Sequence, residues 1–138
     1  MKNNGQSGFS LIELILVVVI IGVLATITIP FLGRARGNAE NGNAFASMRT
    51  ISSAQVAYLG NNGRFGRLDE LNTSQSGGLG TTLGSELIRG KFTFQLSPAT
   101  DIQLRTAYTL IATKTINGSE LPYVISVDQT GQIVQVLP

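Results

Sequence analysis

The sequence predicts an α+β fold, a long N-terminal helix packed on a C-terminal antiparallel sheet of three to four strands. Three observations carry that prediction. Leu14–Leu32 is apolar and free of formal charge. From Phe31 to Leu59, small and apolar residues recur at three- and four-residue steps, the period of an amphipathic helix. From Lys91 onwards the period falls to two, the signature of half-buried strands.

The first element is preceded by "MKNNGQSG", a short polar segment (1–8) with one positive charge at Lys2. The apolar run that follows would cover roughly 28 Å as a helix, close to the hydrocarbon thickness of a bilayer. Residues 9–32 are therefore expected to span a membrane, with Lys2 favouring a cytoplasmic N-terminus. A secretory signal peptide would carry its small-residue cleavage site after the apolar run. Here Gly8 stands before it, so cleavage at that point would leave the apolar segment on the mature chain. One residue disturbs this segment. Glu13 is a carboxylate near its start, and ionisable groups inside a membrane cost roughly 2.5–3.5 kcal/mol near the bilayer centre. Such a cost usually marks a function.

Pro30 then interrupts the helical pattern and should kink or loosen it. Gly33, Gly37 and Gly42 follow, each costing about 1 kcal/mol against alanine within a helix. The amphipathic half (33–60) places Phe45, Met48, Ile51, Ser52, Gln55, Val56 and Leu59, with Ala35, Ala39 and Ala46, on its repeating positions. "GNNGRFG" from Gly60 should stop the helix.

The remaining residues, 61–138, form one small globular domain. "RLDEL" suits a short helical turn, "NTSQSGGLG" a loop, and "TTLGSELIRG" another short helix near Thr81 or Thr82. "KFTFQLS" alternates with Phe92, Phe94 and Leu96 on one face. "LRTAYTLIATK" groups Tyr108, Leu110 and Ala112; "PYVISVD" groups Tyr123, Ile125 and Val127; "QIVQVLP" closes the chain. Asn117-Gly118 and the "DQTG" from Asp128 are hairpin turn signals between these runs.

Composition removes several functions. The 138 residues carry ten basic and eight acidic side chains, a net charge of +2, with no block of like charge. That describes a solvated surface, and a nucleic-acid partner is not expected. There is no cysteine and no histidine, hence no disulfide, no thiolate chemistry, and neither the commonest general base nor the commonest metal ligand. An enzyme or ligand-binding module tethered by this helix would have to work with carboxylates, serines or lysines. "GSELIRGKF" has one residue too many for a phosphate loop and lacks the hydroxyl after its lysine, and no spacing of the acids matches a twelve-residue calcium loop. Neither an enzyme nor a cofactor is expected. Asn72-Thr73-Ser74 and Asn117-Gly118-Ser119 match a glycosylation sequon by composition alone.

The run "G-F-S-L-I-E" from Gly8 to Glu13, followed by the apolar helix and Pro30, resembles the type IV pilin and pseudopilin family. The resemblance covers about Gly8–Leu32 closely and is one of architecture beyond Leu59. It implies a pilin-like fold and cleavage by a prepilin peptidase between Gly8 and Phe9, with methylation of the new Phe9 amine. It further implies residence in the bacterial inner membrane among lipid, then transfer by an inner-membrane assembly machinery into a homo-oligomeric helical filament outside that membrane. Physics gives Glu13 a role in this picture. A carboxylate in a dry helical core needs a partner, and the Phe9 amine of a neighbouring subunit suits it. Pairing there would set the axial register, as buried polar groups do in coiled coils. The cysteine-free C-terminal hairpin resembles those of several pilus subunits; a secretion-system pseudopilin is the alternative.

Overall fold

The computed structural model describes residues 8–98, 100–114 and 122–137. Helix α1 spans Leu11–Asn62 and helix α2 Leu68–Ser74. Strands follow as β1 (Thr81–Leu83), β2 (Glu86–Arg89), β3 (Phe92–Ser97), β4 (Thr109–Lys114), β5 (Tyr123–Asp128) and β6 (Ile133–Leu137), with a single 3-10 turn at Gln103–Arg105 between β3 and β4. The chain divides into two compact units, one up to Ala39 and one from Glu40 on.

The first unit consists of the early part of α1. Its side chains from Leu11 to Leu24 are all exposed, as no other element packs on them. The second unit, the head, holds the core. The sheet is a meander in sequential order, β1-β2-β3-β4-β5-β6, with every neighbouring pair antiparallel. In this register Phe94, Ala112 and Ile125 lie side by side on one face, and Leu110 pairs with Val127. That face is buried against α1 residues Ala44, Ser47, Met48, Ile51, Ala54 and Gln55. The alternation seen in the sequence is thus a burial pattern: Phe92, Phe94, Tyr108, Leu110, Ile125 and Val127 are all in the core. Fully burying side chains of this size stabilises by about 1.5–3 kcal/mol each.

Four expectations need correction. The sheet has six strands, not three to four. "TTLGSELIRG" is not helical but the β1–β2 hairpin, turned by Gly84 at φ +60 and Ser85 between paired Leu83 and Glu86. Only Leu87 of these two strands is buried, so no alternation was there to read. Helix α1 runs through Gly60 and stops at Asn62, where Gly63 supplies the left-handed φ of +68 that ends it. Val56 and Ala46 fall on its exposed face; Ala54 and Ala44 take the core positions instead. The "DQTG" turn forms between β5 and β6, whereas Asn117-Gly118 lies outside the described residues.

Candidate functional site

The residues singled out by the sequence lie mostly at one end of α1. Gly8, Phe9 and Ser10 precede the helix outside any regular element, and Phe9 is 82% exposed. A side chain at Gly8 would meet nothing within 4 Å. The Gly8–Phe9 linkage is therefore an open, non-helical peptide bond, a geometry that a protease cleft can engage. Helix formation starts just after it, where the Leu14 amide donates to the Ser10 carbonyl at 3.2 Å. Glu13 sits exposed in the first turn, where the unpaired amides and the helix dipole favour a negative charge. It lies four positions after Phe9, so both lie at the same helix end.

Downstream, α1 contains a window of mean hydropathy 2.9 and is long and apolar enough to cross a membrane. Its only hydroxyls here are self-satisfied: Thr26 donates to the Val23 carbonyl at 2.7 Å and Thr28 to the Leu24 carbonyl at 2.8 Å. That arrangement hides polar hydrogens from an apolar surround. Pro30 lies inside the helix, which continues through it, and its missing N–H deprives the Thr26 carbonyl of its helical donor.

The head is held by polar clamps. Glu40 of α1 bridges Lys91 and Lys114, each at 2.9 Å, tying the helix to the start of β3 and the end of β4. The two ammonium groups, Lys114 first, draw the Glu40 pKa down to about 2. Arg64 grips Glu70 through two hydrogen bonds, at 2.9 and 2.6 Å, and stacks over the Tyr58 ring. This pairing draws Glu70 down to about 2 and raises the Arg64 guanidinium further. Buried Gln55 both donates to the Gly66 carbonyl and accepts from its amide, each at 2.8 Å, so it stands in for a strand neighbour. Tyr108 meets the Ser52 hydroxyl at 3.0 Å, and burial raises its pKa.

The motifs set aside in the sequence have structural occupations. Asn72 donates to the Gly80 carbonyl and accepts from the Leu79 amide, leaving it buried within the loop. Lys91 pairs with Glu40 while its side chain stays more than half exposed, and Asp128 accepts from both the amide and hydroxyl of Thr130. Among the described residues no group of three or more acidic, His or Cys side chains could hold a metal ion. The Glu40–Lys91–Lys114 clamp left no sequence signal, because its members lie on three elements far apart in the chain.

A family model described as the prokaryotic N-terminal methylation motif matches residues 3–29. The chain is also similar to the Type II secretion system core protein G of Aeromonas hydrophila, 32% identical over 65 residues. That alignment takes in 47% of this chain and 46% of the relative, so the chain covers less than half of the relative's length. No solved structure matches.

Proposed function

We propose that the chain is a member of the type IV pilin and pseudopilin family and a structural subunit of a helical filament built on its N-terminal helices, a reading supported by the methylation-motif match and the likeness to core protein G. The observation that carries this reading is the placement of Gly8, Phe9 and Glu13 at the open end of an apolar helix. In this reading a prepilin peptidase cuts after Gly8 and the Phe9 amine is methylated. The subunit waits in the inner membrane, N-terminus in the cytoplasm and head outside, until an inner-membrane machinery extracts it. Glu13 then pairs with the Phe9 amine of an adjacent copy, which offsets the desolvation of both charges. Pro30 is the point at which the helix can yield when it leaves the bilayer. The head contributes contacts, not chemistry.

Two filaments fit. A surface pilus is favoured by the cysteine-free closing hairpin of β5 and β6, and a secretion pseudopilus by the likeness to core protein G. Mass spectrometry of the membrane-bound and filament forms tests the shared premise. The expected mature N-terminus is N-methylated Phe9, and an intact Met1 in assembled material would overturn it. Electron microscopy of sheared cell surfaces then separates the two: abundant filaments of this subunit support the pilus. A bare surface with a loss of protein export on deletion supports the pseudopilus.

A further inference from the structure

The charges of the head are sorted along its strands. At the end that contains Glu40, the end of β2, the β2–β3 turn and the end of β4 bring together Arg89, Lys91 and Lys114, of which the two lysines bond the Glu40 carboxylate. At the opposite end of the same strands stand Glu86, which pairs across to Gln95, and Asp128, which pairs across to Thr109. Asp101, bound to Arg67 at 2.7 Å, and Asp69, beside Ser85 and Leu96, belong to that end too. Among the described residues it holds five acids, counting Glu70, against Arg64, Arg67 and Arg105. The basic end is also concave. A groove of about 360 Å³ opens between α1 and the β2–β3 turn, lined by Ser47, Thr50, Arg89 and Lys91, with Glu40 as its one acid. Among the described residues Arg89 makes one long bond, 3.3 Å, to the Leu79 carbonyl, which leaves donors of its guanidinium to offer.

We propose that this groove is the docking site for the acidic end of a second copy's head, with Arg89 and Lys91 receiving the end that carries Asp69, Glu86 and Asp101. The inference rests on the filament reading and adds the head contact to it. Its geometry suits a filament. The charge separation follows α1 within the head, since Glu40 lies at its start and Arg64 just past its end. Heads stacked in one direction therefore present opposite signs to each other. A contact between two different surfaces is heterologous, and when its rotation does not close it propagates as an open helix. A contact between two like ends would instead stop at a dimer and would set like charges together.

The chain has no native cysteine, so introduced thiols report contacts cleanly. Ser85→Cys at the acidic end and Thr50→Cys in the groove leave every charge in place. Within one head Ser85 lies four strand residues, about 13 Å, from Arg89, and a link formed inside one head leaves a monomer, so it cannot produce a ladder. In assembled full-length protein, a short bis-maleimide should link the double variant into a ladder of multimers, and neither single variant should pass monomer. Arg89→Glu and Asp69→Lys should each reduce the ladder by about tenfold or more, and together they should restore it. Normal filaments without a ladder, or dimers from a single-cysteine variant, would overturn this contact alone. No filaments from the unmodified chain would overturn the filament reading, and this contact with it.

Discussion

At the residue scale, the clearest electrostatic commitment in the head is Glu40. Two lysines hold its pKa near 2, below its ordinary 4.5, so the folded state binds the proton more weakly than the unfolded one. The resulting stabilisation is complete above about pH 4.5 and is lost as pH falls towards 2. Glu70 follows the same course through Arg64. Thermal unfolding of the full chain in detergent should therefore weaken across that window. Glu40→Gln should lower stability at neutral pH and flatten, without abolishing, the acid dependence, because Glu70 remains. An unchanged slope in Glu40→Gln would show that the clamp does not form in solution. Lys114 is the more consequential partner, since its side chain is 13% exposed and Lys91's is 57%.

At the scale of elements, two glycines of the α2–β2 region make a contrast. Gly77 has φ +77 with open space around it, so alanine there should cost only backbone strain, about 1 kcal/mol. At Gly80 a Cβ would sit 2.7 Å from the Ile88 carbonyl oxygen, in addition to an unfavourable φ of +158. Gly80→Ala should cost roughly 2–3 kcal/mol, read as a larger fall in melting temperature than Gly77→Ala. Equal falls would mean that β1 does not pack on β2 as described. This same region shows what the sequence could not disclose. β3, β4 and β5 bury alternate residues over six positions each, and their period is plain. β1 and β2 have three and four residues and one buried side chain between them, so their pairing depends on the Gly84–Ser85 turn and on neighbours far along the chain. In α1 most of the core stripe, Met48, Ile51 and Gln55, was legible, but whether Ala44 and Ala54 or Ala46 and Val56 completed it was decided by the sheet.

For the whole molecule, the motif at Gly8–Glu13 was the most legible feature and the head's clamps the least. The former is contiguous; Glu40, Lys91 and Lys114 converge only after folding. The proposed function is an order of events along α1: cleavage before Phe9, residence of the apolar helix in lipid, then docking through Glu13. The most direct measurement is to express Glu13→Gln alone and count filaments beside the membrane level of cleaved protein. The substitution keeps shape and removes charge, so the subunit should still insert, be cleaved and fold. Docking should fail, because the Phe9 ammonium would enter a dry core without its counter-charge, at a cost of about 3–5 kcal/mol. At a factor of ten per 1.4 kcal/mol, filament number should drop by hundreds-fold or more. Normal filament numbers at normal levels of cleaved protein would contradict the account.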